Sequence, residues 1–196
     1  PGLGDEVKKI SWATNHWRKH GLEPVVHSIG WHDGKEFQSK LQTLVEMIDQ
    51  FIQYGDRVSL VGCSAGGSAV LNAFIKRKDV VNRVINVCGR LRPGKQRGFR
   101  SFEKRTASSI SFAQSVKLFE SREDLLSDQD RQKIMTVRPF FGDELVPENT
   151  LVLGGAYNTV IPTIEHVFSI AMALTIFSRP LINFLTHKSE SNFHRR

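Results

Sequence analysis

The sequence predicts an α/β fold: a mainly parallel sheet with helices on both faces. Two patterns predict it. Helix-spaced and strand-like apolar segments alternate along most of the chain, as βαβ units require. The strand-like runs are almost continuously apolar, "VSLVGC" and "VVNRVINVC" among them, which suits strands buried on both sides. A third feature, the junction Gly62-Cys63-Ser64-Ala65-Gly66-Gly67, joins a strand to a helix without Asn, Asp or Pro, the residues that ordinarily make a loop.

The elements follow in order. Asp5 is placed to cap a helix reaching about Lys19, with Val7, Ile10, Ala13 and Trp17 roughly on one face and Gly21 past its end. "PVVHSIGW", Pro24–Trp31, reads as a strand. Glu36 to Tyr54 is the cleanest helix: Phe37, Leu41, Leu44, Val45, Ile48 and Ile52 recur at helical spacing, and Gly55 stops it. Strands are expected at Val58–Cys63, Val80–Cys88, Ile134–Phe140 and Asn158–Ile164, and helices at Ser68–Lys78 and from about Val167. The apolar stretch Val167–Phe177 is too short to span a bilayer and reads as a buried core helix.

Residues 1–88 and 134–196 form the expected core, and residues 89–133 interrupt it. That insertion is basic, then serine-rich, then helical, with Phe112, Val116 and Phe119 as a short apolar stripe. Ser121…Asp124 and Ser127…Asp130 are two candidate helix starts. An insertion over the end of a parallel sheet suits a cap or lid.

The chain has 196 residues, 40% of them apolar, and a net charge of +7. This length fits one domain with a small insertion. Much of the charge lies between Arg90 and Arg105, where seven basic residues face one acid, Glu103. The window reads either as a solvated, mobile segment or as a contact surface for an anionic substrate or a membrane. Nucleic acid is not expected, since no aromatic-interleaved or zinc-knuckle pattern accompanies the charge. Cys63 and Cys88 lie in apolar runs, which favours reduced thiols and a cytoplasmic setting over a disulfide scaffold.

The chemistry centres on Ser64. Small residues on either side let a strand and helix meet at a sharp turn, holding a serine hydroxyl at the strand's carboxyl end beside a helix N-terminus. A serine needs a base, and the base an orienting acid. "FFGDELVPEN" places Asp143, with Glu144 as its rival, just past the strand ending at Phe140. His166 follows the next strand, so all three loops share one sheet edge. Of seven histidines, His16, His20, His27 and His32 precede the serine, and His187 and His194 lie in a polar tail. One oxyanion donor is expected from the Ala65 amide and the second from the loop Pro1-Gly2-Leu3-Gly4, at Leu3.

The motifs "PGLG", "GCSAGG", "GDELVP" and "IEH" together resemble the α/β-hydrolase superfamily in its esterase and lipase branch. The resemblance implies a serine hydrolase that cleaves a small-molecule or lipid ester through Ser64, His166 and Asp143, with no metal or organic cofactor. Peripheral membrane contact through the basic cap is a further expectation. An acyltransferase or thioesterase with the same triad, or a non-catalytic binding protein on this scaffold, are the alternatives. The resemblance also implies a strand between Pro24–Trp31 and Val58–Cys63. The chain begins after that strand, so the N-terminal strands are expected to be absent. A gap there would leave buried backbone groups unpaired, at about 1–3 kcal/mol each.

Overall fold

A computed structural model describes residues 1–187; His194, expected in a polar tail, lies outside the described residues. Four parallel strands, β1 (Leu60–Cys63), β2 (Val84–Val87), β3 (Ile134–Pro139) and β4 (Tyr157–Ile161), lie side by side in chain order. Cys63 is level with Val87, Val87 with Val137, and Pro139 with Ile161. Every strand therefore delivers its following loop to the same edge.

Helices cover both faces, as expected. On one side α2 (Phe37–Gln53), α3 (Gly66–Arg77) and α5 (Ile110–Glu120) bury Leu41, Ile48, Leu71, Phe74, Val116 and Phe119 against Val84 and Ile134. On the other, α1 (Val7–Thr14), α7 (His166–Leu174) and α8 (Arg179–Thr186) close over Ile85, Val87, Met135 and Val137. A 3-10 turn, Asn15–His20, continues α1 and ends on Gly21 at φ 77°. Tyr54 and Gly55 close α2, with Gly55 at φ 85°.

Four local expectations are corrected. Pro24–Trp31 forms no strand and joins no ladder, and its end turns at Gly30, φ 68°. Side chains satisfy part of its backbone instead: the Asp5 carboxylate accepts from the amides of Ile29 and Trp31, and Lys40 donates to the carbonyls of Ile29 and Gly30. A trench of about 690 Å³, lined mainly by apolar residues such as Val26, Leu44, Ile48 and Val61, separates this segment from β1, where the resemblance placed a strand. Asp5 is thus a tie between loops, and Glu6 takes the N-cap position of α1. Ser121 ends α5 rather than starting a helix, because its amide bonds back to Lys117 and Phe119. The apolar stretch from Val167 is only partly buried: Ala173 and Leu174 are inside, whereas Val167, Phe168 and Ile176 are exposed.

The insertion between β2 and β3 is anchored rather than loose. Its serines explain why: Ser115 packs against Ser68 of α3 (Oγ–Oγ 2.5 Å), and Asn72 donates to the carbonyls of Ser68 and Ser115. Small residues let α3 and α5 approach closely while the two hydroxyls and the Asn72 Nδ2 stay bonded. At the start of α5, Ser109 caps the Phe112 amide and donates to Trp31 O. Trp31 in turn stacks on Phe37 and meets Phe112 edge-on. Two shorter helices, α4 (Phe102–Thr106) and α6 (Asp128–Arg131), complete the segment.

Among the described residues no single helix is long and apolar enough to cross a membrane; α7 and α8 reach that length only as a pair bent by 55°.

The capping box expected at Ser127 is present. Asp130 accepts from the Ser127 amide and hydroxyl and from Lys78, and returns its own amide to Ser127 Oγ. Burial pushes the Asp130 carboxyl up, but those hydrogen bonds and the Lys78 charge outweigh it and hold the pKa below the usual carboxylate value. A depressed pKa stabilises the fold wherever the unfolded carboxyl is already ionised, and that gain fades as pH falls through the lowered pKa. Asp130→Ala should therefore lose about 1–2 kcal/mol in urea unfolding at pH 7, and the ion-dependent part of that loss should shrink in the same titration near pH 3.

Candidate active site

The site begins at the junction of β1 and α3. Ser64 sits at φ 52°, a left-handed conformation that a residue with a side chain seldom adopts. Its amide still completes the ladder to Val87 O, and its carbonyl accepts from Gly67. The chain thus turns from strand to helix within one residue. The glycines make room for that turn. A Cβ on Gly62 would lie 2.3 Å from Gly66 O, one on Gly66 2.7 Å from Pro1 O, and one on Gly67 1.9 Å from Asn86 Oδ1.

The loops after β3 and β4 meet this serine. His166, which opens α7, brings Nε2 within 2.8 Å of Ser64 Oγ. Its other ring nitrogen, Nδ1, lies 2.7 Å from Asp143 Oδ2. Asp143 is fixed through its second oxygen, which accepts from the amides of Leu145 and Val146, both at 2.8 Å. Asp143 and His166 are buried and Ser64 is half-buried. Three groups expected from sequence to work together are thus joined in one hydrogen-bonded line.

Glu144, the rival acid, has another place. Its Oε2 accepts from the His166 backbone amide at 2.9 Å, so it fixes the chain rather than the ring. Glu165 holds φ 73° and caps α7 by accepting from the amides of Val167 and Phe168. Neither role was foreseen, although the pairing of an acid with each of Asp143 and His166 in "GDE" and "IEH" was visible.

Residues Pro1–Gly4 lie against the serine. A Cβ on Gly2 would be 3.0 Å from Ser64 Cβ, and Leu3 shares a small cavity with Ser64 and His166. The Leu3 and Ala65 amides donate to no acceptor among the described residues. They are free to serve a ligand, as the oxyanion expectation requires.

Cys63 and Cys88, expected as reduced thiols, are free and buried. Burial pushes the Cys63 thiol up to about 11 and raises Cys88 well above its ordinary value. Both are poor thiolates at neutral pH. The basic window is not uniformly solvated: Arg90 is 1% exposed, and Arg92 pairs with Glu123.

No protein-family model and no curated protein sequence matches the chain. Solved structures do. One from work on two metagenome-derived lipolytic enzymes, LipS and LipT, superposes with a TM-score of 0.63 at 11% identity, over 95% of this chain and 91% of that one. A monoacylglycerol lipase of Paleococcus ferrophilus gives 0.61 at 13%, over 94% and 91%. A lipase, BlEst2, of Bacillus licheniformis gives 0.55 at 22%, over 76% and 75%. These likenesses show the α/β-hydrolase fold.

The turn at Ser64 depends on the missing Cβ of Gly62. Gly62→Ala should lower stability by roughly 2 kcal/mol or more, as overpacking of a tight contact does. Chemical denaturation measures this; an unchanged midpoint would show that β1 and α3 are less closely packed than described.

Proposed function

We propose that this protein is a serine hydrolase that cleaves a carboxylic ester through an acyl-enzyme. One observation carries the reading: the unbroken line from Ser64 Oγ through His166 to Asp143, at 2.8 and 2.7 Å. A structural serine has no need of a left-handed backbone or of an imidazole held by a buried carboxylate.

Ser64 Oγ attacks the ester carbonyl while His166 Nε2 takes its proton. Asp143 accepts from Nδ1, which keeps the lone pair of Nε2 toward the serine and stabilises the imidazolium as it forms. The negative charge on the carbonyl oxygen is met by the amides of Leu3 and Ala65, with the N-terminal dipole of α3 behind the second. Collapse expels the alcohol, which takes the proton from His166. A water then repeats the sequence on the acyl-enzyme and releases the acid.

The lipase and lipolytic names among similar structures support an ester as substrate. Phe140, Phe141, Ile164 and Phe168, exposed on the two segments that carry Asp143 and His166, support an apolar acyl chain.

A fluorophosphonate probe should label the wild type, and p-nitrophenyl butyrate should be hydrolysed. Ser64→Ala should abolish labelling and lower kcat by on the order of 10³-fold or more, and Asp143→Asn by about 10²–10⁴-fold. A folded wild type that neither labels nor turns over, or a Ser64→Ala variant that keeps its rate, would contradict the proposal.

A further inference from the structure

Beside Ser64 lies a cation with no counter-ion among the described residues. Arg90, just beyond β2, is 1% exposed, and its Nη2 donates only to backbone carbonyls, Arg100 O at 2.8 Å and Leu145 O at 3.4 Å. Its Nε and Nη1 are buried and have no hydrogen-bond partner among the described residues. The half-buried Arg105 guanidinium makes no hydrogen bond or ion pair with any described residue. Both arginines line a cavity of about 30 Å³ with Ser64, His166, Leu3 and Phe112. That is room for one or two water-sized groups.

A buried charge ordinarily has a partner. Here the nearby acids are engaged elsewhere or exposed: Asp143 serves His166 and two amides, and Glu103 faces solvent. Burial and the charge of Arg105 hold the Arg90 pKa below its ordinary value, while Asp143 and Glu103 act weakly the other way. Two unneutralised guanidinium groups at one wall of a nucleophile's cavity are matched to an incoming oxyanion, which Arg binds through several donors at once.

The geometry points to an anion subsite: Arg90 and Arg105 hold a carboxylate or phosphate carried by the ester substrate while Ser64 attacks its carbonyl. This rests on the hydrolase reading for the attack, and on the arginines alone for the binding. The expected substrates are anionic esters, either half-esters of dicarboxylic acids or acylated phosphate esters. The phenylalanine-bearing segments would take the apolar part.

The test compares anionic esters with neutral ones of similar length. Monomethyl glutarate is set against methyl pentanoate, and 1-butyrylglycerol 3-phosphate against 1-butyrylglycerol. Wild type should favour at least one anionic member by about tenfold or more in kcat/KM, mostly through KM, as one charge-assisted contact provides. The pair that shows the preference identifies carboxylate or phosphate. Arg105→Gln should bring the anionic-to-neutral ratio close to one. Arg90→Lys should lower it too, and Arg105→Gln serves if that buried variant fails to fold. Calorimetry on Ser64→Ala reads binding of the same four compounds without turnover. Equal binding and turnover of anionic and neutral esters would overturn the subsite, as would a preference untouched by Arg105→Gln. Fluorophosphonate labelling separates the two readings. Labelling without anion preference leaves the hydrolase and removes the subsite; anion binding to a protein that does not label does the reverse.

Discussion

The backbone of a single residue sets the terms for this structure. Ser64 turns the chain from β1 into α3 with φ 52°, and strain of this kind persists only where the surroundings over-determine it. They do so here. The Ser64 amide is locked to Val87, Gly62 and Gly66 let strand and helix nearly touch, and Gly67 abuts the buried Asn86 side chain. Asn86 itself donates to Gly89 and Leu151 carbonyls, which ties the turn to the loops after β2 and β3. Relaxing Ser64 would disturb contacts on three strands' worth of loops.

The parallel sheet converts that local turn into a meeting point. Its ladders bring the carboxyl ends of β1, β3 and β4 to one edge, and capping acids then aim the loops. Glu144 fixes the His166 amide, Glu165 starts α7, and the Leu145 and Val146 amides orient Asp143. Among the described residues the other non-glycine residues with positive φ, Asp5, Cys88 and Glu165, all lie in loops that border this edge or carry its residues. The insertion after β2 adds its first arginine to the same wall. The two hydrophobic clusters lie on either side of the sheet, and the line from Ser64 to Asp143 lies at its edge.

Much of this was legible because it depends on short-range patterns. The glycines around Ser64 announce a turn too tight for Cβ atoms, and strand ends followed by "GDE" and "IEH" place an acid and a histidine on one edge. Four strands and the helix Phe37–Gln53 fell where periodicity put them. What depends on long-range partners was not legible. Pro24–Trp31 has strand composition, but its amides are taken by Asp5 rather than a ladder. Asp5 looked like a helix cap because capping and loop-tying use the same carboxylate. Arg90 sat in a charged run that reads as solvated, and only the packing of the insertion shows it buried. The insertion reads only as serine-rich and then helical, and the Ser68–Ser115 contact between two helices is not visible in that pattern.

The proposed chemistry requires Ser64, His166 and the two amides to act on one tetrahedral centre. A crystal structure of the protein after reaction with diethyl p-nitrophenyl phosphate tests it most directly. The expected adduct has phosphorus bonded to Ser64 Oγ, its free oxygen within hydrogen-bond distance of the Leu3 and Ala65 amides, and His166 Nε2 beside the ester oxygens. An adduct on another residue, or one on Ser64 whose oxygen faces away from both amides, would contradict it.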